Sequence, residues 1–217
     1  LETGAREAFR RLEAGEAGEK ALWQHFRDLS LLEFAKVYQR LGVEFDNYNG
    51  ESFYSDQIPA VAGMLRDKGL LIESDGAQIV PLEEYGLPPC FVLKSDGTTI
   101  YASRDIAAVL YRVGTYHFHK NIYVVGSPQA LHFRQVFAVL EKAGVPEAND
   151  CVHVGFGLVK FPDRKLSTRS GDVIFLSELL DESVDKTLEI IRQNAELRST
   201  GMSEPEMRAI AEKVGLG

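Results

Sequence analysis

The chain has 217 residues, of which 45% are hydrophobic and 26% are charged, a composition that supports a sizeable core and argues against disorder. Its formal net charge of −8 at pH 7 argues against a generic basic nucleic-acid-binding protein, so we expect no DNA partner. No apolar run approaches the roughly 18 residues of a membrane span and no signal peptide is visible, so we expect no membrane partner.

Cysteine usage bears on the compartment and on metal chemistry. The two cysteines are Cys90 and Cys151. Neither lies in a CxxC pair, and no Cys/His cluster has the spacing of a zinc site. The sequence therefore predicts a cytoplasmic protein that holds no metal through its own side chains.

The first third of the chain is predicted to be mostly helical. Helical patterns cover residues 4–15, 16–27, 30–41 and 55–68. Ser30 and Glu33 have the spacing of a capping box, which predicts a helix start at Ser30. Trp23 and Phe26 are predicted to be core residues rather than a stacking platform. Because the first residue is Leu and the first segment has the pattern of a helix interior, we expect a piece of a longer protein.

Strands and helices alternate in the rest of the chain. Two hairpins are predicted, one over 70–82 that turns at Asp75-Gly76 and one over 90–101 that turns at Asp96-Gly97. The remaining predicted elements are helices at 103–113, 128–143, 178–195 and 203–214 and strands at 121–125 and 151–159. The short apolar strand at 121–125 is typical of a parallel sheet. The predicted fold class is therefore α/β with parallel strands, followed by helices.

A basic loop follows the last predicted strand. Residues Lys165 to Gly171 read Lys-Leu-Ser-Thr-Arg-Ser-Gly. Lys165 supplies positive charge, Ser167 and Thr168 supply hydroxyl donors, and Gly171 lets the backbone turn, so the loop can hold phosphates. Many surface loops share this composition. No GxGxxG or GxxxxGK[ST] motif occurs in the sequence, so an ordinary dinucleotide site or P-loop is not favoured.

Tyr101 and Asp105 are four residues apart at the start of a predicted helix, which places both on one face. The helix dipole stabilises a carboxylate at this end. Taken alone, the pair is more commonly a strand-end aromatic and a first-turn acid than part of a site.

Gln129 follows the strand at 121–125, where a parallel strand gives way to a helix. Ligands of open α/β sheets collect at the carboxyl ends of such strands. His132 lies three residues further on and shares the face of Gln129. Taken alone, a polar helix-start residue and a hydrogen-bonded helix histidine are the commoner interpretation.

His153, Gly155 and Gly157 lie at the end of the strand before the basic loop. Two glycines two residues apart indicate either the close approach of a flat group or another backbone segment, or a β-bulge. The two interpretations have equal weight.

Together these segments resemble one family. Lys165-Leu166-Ser167-Thr168-Arg169 is similar to the Lys-Met-Ser-Lys-Ser motif of class I aminoacyl-tRNA synthetases, in the form that arginyl-tRNA synthetases carry. Further matches to arginyl-tRNA synthetases follow in that family's order over roughly residues 20–185. They are Phe26–Ser30, Leu41–Asp46, Gly50–Ser52, Lys94–Thr99, Tyr101–Ala107, Tyr123–Gly126 and His153–Gly157.

The resemblance implies the second half of a Rossmann-like class I synthetase catalytic domain over residues 1–180 and the start of an all-α region over 181–217. It implies an arginine–tRNA ligase, which makes arginyl-adenylate from L-arginine and ATP and then charges tRNA(Arg). Tyr101, Asp105 and Gln129 would bind arginine. A carboxylate such as Asp105 fits the planar fork of a guanidinium, which the ammonium of lysine cannot reproduce.

The resemblance also implies an ATP site. ATP would bind beside the residues His132, His153, Gly155, Gly157 and Lys165. Lys165, Ser167 and Thr168 would form the catalytic loop on the phosphates. Mg²⁺ would arrive with ATP as a substrate complex.

The sequence departs from the family in three ways. The His-Ile-Gly-His-type element, which supplies the other side of the ATP site, is absent, so we expect the 217 residues alone not to complete the reaction. Thr168 stands where the general class I loop has a second lysine, and Ser170 stands where many relatives have Lys. One alternative function is a non-catalytic, stand-alone arginine-binding or regulatory module. A weaker alternative is a nucleotidyl-transfer domain for another small substrate.

Overall fold

A computed structural model of the chain describes residues 2–94, 100–157, 175–198 and 201–217. The helices are α1 (Glu2–Glu13), α2 (Ala17–Leu41), α3 (Ile58–Asp67), α4 (Tyr101–Tyr116), α5 (Ala130–Lys142), α6 (Leu176–Arg198) and α7 (Glu204–Leu216). The strands are β1 (Ile72–Ser74), β2 (Ala77–Val80), β3 (Cys90–Leu93), β4 (Asn121–Gly126) and β5 (Cys151–Phe156).

The chain divides into two compact units. The helical unit comprises residues 1–46 and 165–217, and the α/β unit comprises residues 47–164. The sequence-based boundary at residue 180 stays a prediction.

The helical unit contains one correction to the sequence analysis. Residues 17–41 form a single helix, α2, rather than two helices that meet at Ser30. Arg27 to Ser30 contains neither Gly nor Pro, and the Ser30 hydroxyl donates to the Phe26 carbonyl at 2.8 Å. Ser30 therefore lies inside the helix and does not cap it. Phe26 is 58% exposed, so the prediction of a core residue was wrong.

Contacts among α2, α6 and α7 define the helical unit. Val184 and Leu188 of α6 are buried against Ala211 of α7. The Arg40 guanidinium at the end of α2 pairs with Asp181 at 2.7 Å and with Glu212 at 2.8 Å. The predicted capping box at Ser203 is confirmed, because the Ser203 backbone N–H donates to the Glu206 carboxylate at 2.9 Å.

The first predicted hairpin of the α/β unit is confirmed. Strands β1 and β2 pair antiparallel, with Ser74 opposite Ala77. Asp75 and Gly76 have φ of 50° and 80°, the left-handed values that a two-residue type I′ turn needs. Strand β3 pairs antiparallel with β2. The predicted turn at Asp96-Gly97 of the second hairpin lies outside the described residues.

Helix α4 begins at Tyr101, which corrects the prediction that Tyr101 ends a strand. The start is fixed by Ser103, whose hydroxyl donates to the Ile100 carbonyl at 2.7 Å and accepts from the Ile100 N–H at 3.2 Å. Ser103 thus satisfies a backbone donor that the helix itself leaves free.

The predicted parallel pairing is confirmed. Strands β4 and β5 pair in parallel without a register shift, from Asn121 opposite Cys151 to Gly126 opposite Phe156. Helices α4 and α5 pack beside these strands and β3, and the shared core buries Val80, Val92, Ile106, Val136 and Leu140 completely. This core fixes the ends of β4, β5 and α5, where the candidate site lies.

Candidate functional site

The carboxyl ends of β4 and β5 meet at one edge of the parallel pair. The chain leaves β4 at Gly126 and passes through a short 3-10 turn, Ser127–Gln129, into α5. The Ser127 hydroxyl donates to the Phe156 carbonyl at 3.0 Å. This bond ties the start of the turn to the end of the neighbouring strand.

The close approach of this turn to β5 explains why position 155 is a glycine. A Cβ atom at Gly155 would lie 3.0 Å from Ser127 Oγ and 3.3 Å from Ser127 Cα, so a larger residue would push the two segments apart. The β4–β5 register is regular through Gly155, which removes the β-bulge interpretation there. Among the residues that the structure describes, no atom lies within 4 Å of a Cβ placed at Gly157, so their packing gives no reason for this glycine.

His153 is held by the sheet and by α5. Its Nε2 donates to the Val125 carbonyl at 2.9 Å, and its ring stacks on Phe133 with centroids 4.8 Å apart and planes 23° apart. The donated hydrogen bond fixes the proton on Nε2 when the ring is neutral. His153 is thus a rigid, partly buried wall beside the strand ends.

Asp105 and His132 form the main polar contact of the site. Asp105 projects from α4 and His132 from α5, and the Nε2 of His132 lies 2.6 Å from Asp105 Oδ2. The two side chains remain 30% and 25% exposed, respectively. The pair is therefore partly desolvated but open to a ligand from solvent. Sequence spacing did not reveal this contact, because the two residues are 27 positions apart.

Tyr101 and Gln129 lie at the N-terminal ends of α4 and α5. Tyr101 is 66% exposed, and the Arg104 guanidinium lies 5.9 Å from its ring centroid. Arg104 also pairs with Glu51 at 3.3 Å. Gln129 is exposed and takes the N-cap position of α5. Tyr101 and Asp105 both lie on α4, four residues apart, and the structure joins Asp105 to His132 by direct contact.

A buried tyrosine beside the site escaped the sequence analysis. Tyr123 of β4 is 8% exposed, and its hydroxyl accepts from Asn121 Nδ2 at 3.2 Å. Burial raises the pKa of Tyr123 to about 12, an effect to which the negative charge of Asp105 adds and which the nearby Arg112 opposes. Asn121 and Tyr123 are two apart in a strand and so share a face, a signal that was available in the sequence.

Some predicted features cannot be placed. Lys165, Ser167 and Thr168, the predicted catalytic loop, lie outside the described residues.

Within the described ranges, no group of three or more His, Cys, Asp or Glu side chains is arranged to hold a metal ion. Among the helices that the structure describes, none combines the length and the apolar character that crossing a bilayer requires.

The comparisons with known proteins decide the family. The model of the family "tRNA synthetases class I (R), catalytic domain" matches residues 1–217. The chain belongs to this family. Arginine–tRNA ligases of Clostridium botulinum (strain Alaska E43) and Clostridium beijerinckii are 58% and 57% identical to it over 218 residues. The matches cover 100% of this chain, and the chain spans 38% of the length of these relatives.

Solved structures of class I arginyl-tRNA synthetases agree with the fold. The arginyl-tRNA synthetase of Plasmodium falciparum aligns with a TM-score of 0.80 at 25% identity, over 99% of this chain and 35% of that one. The Thermus thermophilus arginyl-tRNA synthetase aligns with a TM-score of 0.70 at 20% identity, over 98% of this chain and 41% of that one. The predicted fold class, the α/β catalytic domain of a class I synthetase, is confirmed.

Proposed function

We propose that this segment supplies the arginine pocket and one side of the ATP site of an arginine–tRNA ligase. The gene product that contains it would convert L-arginine and ATP to arginyl-adenylate and then charge tRNA(Arg). One observation carries the proposal. In a family specific for arginine, a partly exposed carboxylate of α4, Asp105, contacts His132 of α5, the helix that follows strand β4.

Asp105 is the proposed partner of the substrate guanidinium. A carboxylate offers about four lone-pair sites, and His132 uses one on Oδ2. The remaining sites can accept two parallel N–H groups from a guanidinium, whereas the neutral analogue citrulline cannot provide the matching charge. Tyr101 and Gln129, which are exposed at the starts of α4 and α5, are proposed to bound the pocket and to add hydrogen bonds.

ATP is proposed to bind at the strand ends as its Mg²⁺ complex, beside His153, Gly155 and Gly157. Lys165 of the basic loop would stabilise charge on the leaving phosphates, with Ser167 and Thr168 as hydroxyl donors. The arginine carboxylate would attack the α-phosphorus in line and pyrophosphate would leave, so positioning and electrostatics carry the reaction. The ATP role first predicted for His132 has less support than a role beside arginine, because its Nε2 contacts Asp105.

The cytoplasm is the proposed compartment. Cys90 and Cys151 are both free thiols in the structure, which suits a reducing environment.

The proposal is tested with Asp105→Asn in the complete gene product that contains this chain. We expect KM for arginine to rise roughly 100-fold or more, since a charge-assisted fork is lost, while KM for ATP stays nearly constant. Pyrophosphate exchange measures both constants. Asp67→Asn, at an exposed position of α3, is the matched control and should change neither.

Two results would argue against this function. Unchanged arginine kinetics in the Asp105→Asn variant would remove Asp105 from the pocket. Saturable, citrulline-insensitive binding of arginine without any pyrophosphate exchange in the complete gene product would favour the non-catalytic arginine-binding module.

A further inference from the structure

We propose that His132 is a positioning residue of the arginine site, which fixes the rotation of the Asp105 carboxylate so that its free edge meets the guanidinium. The inference rests on the proposed function, since it assigns a role beside Asp105 in that same pocket. It differs from the ATP role predicted from sequence.

The contact has the geometry of a strong, directed hydrogen bond. His132 Nε2 lies 2.6 Å from Asp105 Oδ2, slightly shorter than the roughly 2.7–2.9 Å typical of N–H bonds to charged acceptors. An ionised carboxylate can only accept, so Nε2 carries the proton and donates.

The histidine is itself held in place. His132 follows the exposed start of α5 and precedes Phe133, which is buried and stacks on His153. The His132 ring meets Phe133 edge-on, with centroids 5.2 Å apart and planes 75° apart. Only 25% of the side chain is exposed. The donor is thus presented from a packed helix rather than from a flexible loop.

Fixing the carboxylate matters because of how it binds a guanidinium. The terminal torsion of an Asp side chain is broad, so a free carboxylate samples many orientations. A two-bond fork requires the plane of the carboxylate to match the plane of the guanidinium. With Oδ2 held by His132, the carboxylate keeps one orientation, and the Asp105 side chain is still 30% exposed to an incoming ligand. Less ordering is then needed when arginine binds.

The test uses three substitutions of His132 in the complete gene product. His132→Phe keeps a ring of similar size and removes the donor. His132→Gln places an amide N–H at about the reach of Nε2, and His132→Asn places it one carbon short. His119→Phe, at an exposed position between α4 and β4, is the matched control.

We expect KM for arginine to rise about tenfold in His132→Phe and in His132→Asn, the cost typical of one hydrogen bond to a charged group. His132→Gln should restore KM to within about threefold, and KM for ATP should stay nearly constant in all variants. The preference for arginine over citrulline is the ratio of the inhibition constant of citrulline to the KM for arginine. This ratio should fall in His132→Phe and His132→Asn as KM for arginine rises. The control should leave every constant unchanged.

The outcomes separate the two proposals. If Asp105→Asn impairs arginine use but His132→Phe does not, the positioning role is wrong and the proposed function stands. If Asp105→Asn has no effect, the proposed function itself fails. If KM for arginine and KM for ATP rise equally in His132→Phe, and His132→Gln restores neither, His132 has a merely structural role and the inference is overturned. If His132→Phe shows no cooperative thermal transition and so does not fold, His132→Gln and His132→Asn test the positioning role by themselves. A lower KM for arginine in His132→Gln than in His132→Asn supports the role, and equal values overturn it.

Discussion

The two units of the chain are stabilised in different ways. In the α/β unit, strands and helices from residues 54 to 151 share one continuous core. In the helical unit, the described part buries only Val184, Leu188 and Ala211 as a hydrophobic cluster, and α2 has no buried residue along its 25 positions. Partly buried Ile191, Met207 and Leu216 pack against this small cluster, and Arg40 adds partly exposed ion pairs to Asp181 and Glu212, which contribute little each.

This difference bears on the site residues of the α/β unit. Asp105, His132 and His153 project from elements that the large core holds in place, and sites on such elements keep their geometry best. The helical unit, with few buried apolar contacts, is expected to open locally at lower free energy. We therefore expect arginine binding to depend on the core of the α/β unit and to be less sensitive to changes within α6 and α7.

The largest expected effect comes from truncating the two cores. Leu140→Ala removes a completely buried side chain of α5 and should lower the free energy of unfolding by about 2–5 kcal/mol. Leu188→Ala of α6 should cost less, at about the lower end of that range, because its small cluster can relax around the cavity. Urea unfolding of the 217-residue chain measures both.

Hydrogen exchange tells the two variants apart. Leu188→Ala should lose amide protection in α6 and α7 only, whereas Leu140→Ala should lose it across the α/β unit. Equal costs with the same pattern of lost protection would show that the two units unfold as one, and would break the comparison.

The next largest expected effect is a loss of stability at alkaline pH. Its expected source is the α/β unit, because both cysteines lie there. Burial raises the pKa of the Cys90 thiol to about 12 from its ordinary value of 9.0. Between these values the unfolded chain releases a proton that the folded chain keeps. The contribution of Cys90 to stability is therefore fully present below about pH 9, and we expect it to fall above that pH by about 1.4 kcal/mol per pH unit.

Urea titrations at pH 8, 9 and 10 measure this loss. Cys90→Ala should flatten the decline above pH 9 relative to the unmodified chain. A decline of unchanged slope in that variant would mean that the Cys90 thiol is not its source.

The smallest expected changes in stability come from replacing two helical glycines, one in each unit, by alanine. A Cβ at Gly215 of α7 would lie 3.0 Å from Val184 Cα and 3.1 Å from the Ser183 carbonyl oxygen of α6, so Gly215→Ala should push the helices apart and cost about 1 kcal/mol. A Cβ at Gly114 of α4 would meet no atom of the described part of the chain within 4 Å, so Gly114→Ala should stabilise by about 0.5–1 kcal/mol. Thermal melting of the two variants shows whether each substitution lowers or raises the stability of the chain. Stabilisation by Gly215→Ala would contradict the close α6–α7 contact.

The sequence predicted best the features that depend on neighbouring residues. The turn at Asp75-Gly76, the capping box at Ser203 and the shared face of Tyr101 and Asp105 were all readable, because backbone sterics and helix geometry act over a few positions. The same local reasoning failed at Ser30, where a serine and a glutamate with capping spacing lie inside α2. The competing hydrogen bond to Phe26, also local, has no distinct sequence signature.

By itself, the amino-acid sequence determined the family, the alternation of strands and helices, and the residue types that suit arginine and phosphate. Only the tertiary structure decided that His132 contacts Asp105, that Ser127 crowds Gly155, and that Tyr123 is buried beside the pair. These contacts join residues far apart in the chain, and their formation depends on how α4, α5 and the parallel strands pack. Packing sums many weak, non-directional interactions, so a short motif does not encode which side chains it will bring together.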